Sequence, residues 1–499
     1  MQTVIKKSIS YIFIILITLS IIGVFVTHAL GLYIYNYKLP QILMLVIGPI
    51  LILLVSHLIN KCNLLNNTKF SRKIAIIFIL ISFIHFLFLV FLSHNSYFIA
   101  GWDCNHITRA ASNIATNCTD ADDLDYLSIH PNNLFISLLY SWIIRGFHLV
   151  GYFNDYFACI LFQCFVFATT GYLVFRTTQI ISNATTAIIS YIIYIALVGL
   201  SPWVNVPYSD GSGLVFPILF LYLYVRIINT TKKINSSIYV GVLSLLIYPA
   251  YKLKPQTIIL VIAIIIISLI DFDAKSIKKA LSVILISITA FAIGFILVQG
   301  MISSSKINLD LEKSKSIWYY ICTGANEEYI GVCNPDDQAI ALSYDTLSER
   351  NSALIKQYCE HMKSNGFTGT LLLAFKKNTI NHFDGSFGWW GEGSFMIMGI
   401  WSDNMTFRNF FTNIYYPNGS LYPYYRIYCQ CIWFGVLALC PLAIIKSSKN
   451  KLVLTIALSI IGLIIFEIIF ECRARYMFTY VPLYIILCSI GVCKKIPTA

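Results

Sequence analysis

Residues 73–93 read KIAIIFILISFIHFLFLVFLS, with one lysine at the start, no acid, and Ile, Leu and Phe in most positions. As a helix such a run is about 30 Å long, the thickness of a bilayer's hydrocarbon core. Lipid offers no hydrogen bonds to the backbone, so the run must satisfy its own amides. It is therefore predicted to be a membrane-spanning helix.

The pattern recurs. Thirteen apolar segments can be marked between residues 8 and 493. Of the 499 residues, 58% are hydrophobic and only 12% are charged, and the mean hydropathy is +0.74. A soluble fold of this length would not hide that much apolar surface. The first segment, 8–30, is too long for the apolar core of a signal peptide and reads as a retained span. The expected fold is an all-α polytopic membrane protein of about 12 transmembrane helices plus one re-entrant or interfacial helix.

The formal charge of +12 sits mostly in short gaps between the apolar runs, so it reads as topology control and no nucleic-acid partner is expected. Lys6/Lys7, Lys61 to Lys73, Lys232/Lys233, Lys275 to Lys279, Lys446 to Lys451 and Lys494/Lys495 should all be cytoplasmic, and both termini with them. Two cytoplasmic ends need an even number of crossings. Segment 131–149, which begins with Pro131 and carries Arg145 and His148, is expected to be the one that does not cross. Residues 1–300 then form an N-terminal transmembrane module with a first outer loop at 94–130. Residues 301–427 form an extracytoplasmic subdomain with an amphipathic helical stretch at about 345–377, and 428–499 return to the membrane.

Of the fourteen cysteines, Cys159, Cys164, Cys440 and Cys488 fall within spans and read as small apolar fillers. Cys104 and Cys118 share one outer loop, and Cys322 and Cys333 share another; each pair can close a disulfide in an oxidising compartment. No Cys-x-x-Cys with histidines is present, so no metal site is expected. A divalent cation is the one cofactor left open.

The polar markers lie at the outer ends of spans. Asp103, in Gly101-Trp102-Asp103-Cys104-Asn105-His106, is either a solvated loop acid or a base at the membrane surface, with His106 one helical turn on to orient it. The nearby Asp120, Asp122, Asp123 and Asp125 read as a solvated turn. His130-Pro131 opens an apolar run with ordinary capping chemistry. Asp210 either caps the helix that starts near Ser212 or takes part in chemistry, and one residue can do both. Lys252 and Lys254 interrupt an apolar hairpin on the outer side, against the positive-inside trend, which points to an anionic headgroup or to snorkelling. Glu471-Cys472-Arg473-Ala474-Arg475 repeats that exception, and arginine can grip phosphate bidentately. In the loop 383–393, Asp384, Trp389 and Glu392 combine aromatics with acids, as sugar-stacking surfaces do; an interfacial tryptophan belt explains the same residues.

Taken in order, Asp103, His130-Pro131, Asp210, Lys254-Pro255 and Glu471 with Arg475-Tyr476 resemble the marker series of the GT-C superfamily of membrane glycosyltransferases. More narrowly, the chain is similar to integral membrane glycosyltransferases of Gram-positive bacteria. The resemblance covers nearly the whole chain and rests on the order of short motifs. It implies an inverting transfer from a polyprenyl-phosphate-linked sugar donor to a glycan or lipid-linked acceptor, beside membrane lipid on the outer face. Asp103, or failing it Asp210, would be the base. His106, His130, Lys252, Lys254, Asp384, Trp389, Glu392, Arg473 and Arg475 would bind substrate. Two departures stand out: no second acid follows Asp103 closely, and no large soluble C-terminal domain is present. The rival readings are a lipid-linked glycan polymerase or ligase, and a transporter or flippase of lipid-linked glycans.

The charge pattern makes a topology prediction. In intact cells a membrane-impermeant thiol reagent should label a single-cysteine Asp336→Cys variant and leave Lys449→Cys unlabelled. Labelling at 449 would overturn the orientation.

Overall fold

The computed structural model describes residues 2–27, 29–32, 37–61, 68–118, 120–272, 277–398 and 404–493. Lys275, Lys494 and Lys495 lie outside them. The chain is all-α and polytopic, with a single short antiparallel strand pair among the described residues.

Ten of the described helices are long and apolar enough to cross a membrane, and two shorter apolar helices, Ala184–Gly199 and Pro255–Ile270, accompany them. The segment 131–149 appears as the helix Leu134–Leu149 and is not among the ten. It packs on the outer-loop helix Trp102–Ala115 and on Asp155–Ile181.

Burial sorts the spans. The most apolar window of Ala474–Val492 is 89% buried, whereas that of Ala280–Ser304 is 11% buried. The first is therefore a central helix and the second offers its side chains to lipid. Helix Asp155–Ile181 is also central and packs on seven other α-helices. Where Gln41–Asn60 crosses Tyr422–Leu439, Gly48 faces Gly435, and a methyl on either would collide with the other helix's backbone. Small residues let helices approach closely in lipid, where the hydrophobic effect gives little drive between them.

Within 301–427 the chain does two things. Helices Ile317–Ala325 and Pro335–Leu342 and the start of Leu347–His382 enclose a small core of Tyr319, Cys322, Ala341 and Leu354. The Thr346 hydroxyl caps the long helix by accepting from the Glu349 amide, and it donates to the Glu349 carboxylate at 2.7 Å. At Gly366 (φ 59°, ψ −171°) the helix breaks and turns into the bundle. Beyond the break Lys377 is fully buried, and its ammonium donates to the carbonyls of Gly324, Ile468 and Phe470, each at 2.7 Å. One lysine thus ties this small helical cluster to the end of a span.

Neither of the two possible disulfides is formed. All four cysteines are free. Cys104 is buried, its thiol 3.5 Å from the Pro207 carbonyl, while Cys118 is exposed beyond the far end of the same helix. The helical rise between them is more than about 15 Å, beyond a disulfide's reach. Cys322 turns towards Asp337 and Cys333 towards the Tyr319 hydroxyl.

Candidate functional site

Backbone pairing brings the distant markers together. Ile99 and Ala100 pair with Met398 and Met396, and the Gly101 amide donates to the Phe395 carbonyl at 3.0 Å. This sets the start of helix Trp102–Ala115 against the turn Trp389–Gly393. The Trp203 indole, donating to the Ser386 carbonyl at 3.0 Å, brings in the stretch that ends at Tyr208. Gln256 donates to the Tyr476 carbonyl, and the Tyr480 hydroxyl donates to the Gln256 carbonyl. Those two bonds lock the Lys254 hairpin to the turn Ala474–Tyr480.

Asp103 is half-buried in the first turn of its helix, where exposed amides favour a carboxylate. The Tyr208 hydroxyl donates to it at 3.1 Å. Trp102, next to it, adopts a left-handed backbone, φ 48°. For a bulky residue this costs about 1–3 kcal/mol, a strain that gathers at functional sites. Its indole donates to the Glu392 carbonyl, and its ring lies beneath the Arg475 guanidinium at 4.6 Å.

Arg475 is the hub. Its guanidinium also lies 5.2 Å from the Tyr208 ring, and it faces the Glu392 carboxylate at 2.9 Å and that of Asp210 at 3.9 Å. Lys254 pairs with Asp210 and stands over the Tyr476 ring at 4.7 Å. Arg473 reaches Glu471 at 2.7 Å and Glu392 at 3.3 Å. Asp103, Asp210, Lys254, Glu392, Arg473 and Arg475 therefore form one constellation. Yet most of the cations already hold an acid. At Arg475 the Nε faces Glu392 at 2.9 Å and the Nη1 faces Asp210 at 3.9 Å, and neither makes an aligned hydrogen bond.

Other expected residues fall elsewhere. His106 does not orient Asp103; its ring stacks on Tyr126 at 4.4 Å, with Nδ1 3.6 Å from Asp123. His130 stands on the other side of Tyr126. Burial, reinforced by Lys315, pushes its imidazole down to about 4, so it is neutral near pH 7. Lys252 lies over the Tyr248 ring at 5.9 Å, away from the cluster. Asp384 is buried, paired with Arg426 at 3.1 Å and bonded to the Ser386 and Gly388 amides. Trp389 is buried too, its indole donating to the Tyr415 carbonyl at 2.6 Å. Neither Asp384 nor Trp389 is open to a sugar, because the loop folds inward over its aromatic side chains.

The structure adds Tyr126, Tyr320 and Lys315 to the surroundings of Asp103. Burial lowers the Lys315 ammonium from its usual value, with Asp103 and Glu471 opposing. Tyr126 falls within the marker that precedes Pro131, but nothing local distinguishes Lys315.

Asp210 and Lys254 give a stability test. Breaking a buried pair by removing one partner costs about 3–5 kcal/mol, because the other charge is left without compensation. Lys254→Met and Asp210→Asn should each lower the unfolding midpoint in detergent. The double variant should recover most of that loss. Additive losses would show that the two charges are not coupled.

No curated protein matches the chain. Residues 1–495 match the family of conserved hypothetical integral membrane proteins, and the chain belongs to that family.

Proposed function

We propose that the chain is a membrane glycosyltransferase that moves a sugar from a polyprenyl-phosphate-linked donor to a glycan or lipid-linked acceptor at the outer membrane face. One observation carries this reading. A half-buried carboxylate, Asp103, accepts from the Tyr208 hydroxyl, and a buried guanidinium, Arg475, paired with the more exposed Glu392, lies 5.2 Å from the ring of the same tyrosine. Inverting glycosyl transfer from a lipid phosphate needs a base for the acceptor and a fixed cation for the leaving phosphate.

In the proposed step, Asp103 takes the acceptor hydroxyl proton as that oxygen attacks the anomeric carbon. The bond from that carbon to the phosphate oxygen breaks on the opposite face, and its electron pair stays with the lipid phosphate. Arg475 stabilises the charge that develops there, and it would act more strongly in a dry site than in water. Asp210 is nearly inaccessible and paired with Lys254, which suits positioning the cations better than meeting an acceptor.

A carrier of lipid-linked glycans is the second reading. Glu467, fully buried within the span Lys451–Ile469, has both carboxylate oxygens without a hydrogen-bond partner, as a transport site would need.

The assay is transfer of labelled sugar from a polyprenyl-phosphate donor in membranes containing each variant. Asp103→Asn should keep abundance and lose about 10²–10⁴-fold in rate, because the amide cannot take the proton. An Asn variant at near-parental rate removes Asp103 from the base role.

Arg475→Ala should raise the barrier by about 2–4 kcal/mol, the range for losing one preorganised charge stabiliser. Arg475→Lys should recover only part, since the planar fork is lost. Near-normal turnover in the alanine variant at normal abundance would exclude Arg475 from holding the phosphate.

A further inference from the structure

The outer helical cluster brings together three side chains of a kind that bind metal. Cys322, on Ile317–Ala325, and Asp337, in the first turn of Pro335–Leu342, are fully buried. His361, on the upper half of Leu347–His382, is partly exposed. One ligand atom from each lies within 4.8 Å of the others. Asp337 Oδ1 is 3.6 Å from Cys322 Sγ and 3.1 Å from His361 Nε2. A tetrahedral zinc ion with bonds of about 2.0 Å to N and O and about 2.3 Å to S sets such pairs about 3.3–3.5 Å apart. Both distances to Asp337 Oδ1 are close to that spacing without an ion, and the cysteine and histidine atoms lie within 4.8 Å of each other.

The surroundings favour the same use. The second carboxylate oxygen of Asp337 accepts from the side-chain amides of Asn334 at 2.7 Å and Asn326 at 3.1 Å. That fixes the carboxylate and leaves Oδ1 aimed at Cys322 and His361, as second-shell donors do for a monodentate ligand. On its open side the triad meets a groove of about 530 Å³ lined by Asn326, Asp336, Gln357, His361 and Asn365, among others. Water from this groove would take a fourth position. Mixed S, N and O ligands suit a borderline ion such as zinc better than magnesium or calcium, which favour oxygen alone.

We propose that Cys322, Asp337 and His361 bind one zinc ion, with the fourth position open to the groove. On binding, the Cys322 S–H bond breaks, its proton leaves to water and the sulfur pair bonds the metal. His361 gives its Nε2 lone pair and keeps its proton on Nδ1. The site shares none of its three ligands with the Asp103 constellation, so it stands or falls independently of glycosyl transfer.

The test uses the full-length chain, purified in detergent, stripped with chelator and titrated with Zn2+ or Co2+ alone. One equivalent of Zn2+ should bind. The Co2+ form should show tetrahedral visible bands and a thiolate-to-cobalt charge-transfer band. Cys322→Ser should lose that band and weaken Zn2+ binding by more than the roughly 10–100-fold that loss of an outer-shell partner costs. Cys333→Ser, at a cysteine that is not a ligand, should bind as the parent does. The cobalt spectrum of the parent protein decides without any variant. A folded parent that binds no zinc, or a cobalt form without the thiolate band, overturns the site. So does an undiminished band in Cys322→Ser.

Discussion

A guanidinium buried at the head of a membrane helix is the constraint around which the polar part of this molecule is arranged. Arg475 begins the most deeply buried span, Ala474–Val492. A charge in that position must be met by partners or it destabilises the fold. Glu392 and Asp210 meet it with opposite charge, and the faces of Trp102, Tyr208 and Tyr476 meet it with ring electrons. Apart from the neighbouring Tyr476, these partners come from three separated parts of the chain. Satisfying one side chain therefore fixes where the first outer loop, the 206–210 turn and the 389–393 turn must stand. Lys254 is drawn in as the second counter-charge of Asp210.

The helix Leu347–His382 carries this order outward. Its N-terminal half supplies His361 to the outer cluster, and its C-terminal half places Lys377 against the carbonyls that close the span Lys451–Ile469. Gly366 lets one continuous element serve both solvents. The left-handed backbone there frees the upper half from the direction set by the bundle. An alanine at that position would have to adopt a conformation that L-residues rarely take, although no atom stands in its way. The break is a matter of backbone freedom rather than space.

What the sequence shows and what it hides follow from the range of the forces involved. Spans are legible because lipid imposes the same demand on every run of about 20 residues, and composition alone answers it. Asp103, Asp210, Lys254, Glu392, Arg473 and Arg475 are legible because ionisable residues at span ends are costly and therefore conspicuous. Asp384 and Trp389 have the same local look as Glu392, yet Arg426 and the Tyr415 carbonyl hold them inside. Only the tertiary fold separates residues so close in sequence. The cysteines mislead for a similar reason: sharing a loop suggests pairing, but Cys104 and Cys118 lie at opposite ends of one helix. The grouping of Cys322, Asp337 and His361 has no sequence spacing that resembles a metal motif, because its ligands come from three helices.

The proposed transfer also depends on what occupies the arginines at rest. Glu392 touches both Arg473 and Arg475, is more exposed than either, and sits in a turn that follows Gly388 at φ 78°. Its carboxylate stands where a phosphate would have to bind, on the same two guanidinium groups. A donor phosphate carries a similar planar pair of acceptor oxygens and can displace it without unpairing Lys254 from Asp210. The exchange conserves charge at the arginines, so the cost of burying Arg475 is met both before and after the donor arrives. The displaced carboxylate would then move towards the outer solvent. An arrangement in which the cations waited bare would be more reactive, but it would leave a buried guanidinium uncompensated in the resting protein. In the proposed transfer, the acid that holds the phosphate position at rest is what lets the buried arginine stand there before the donor arrives.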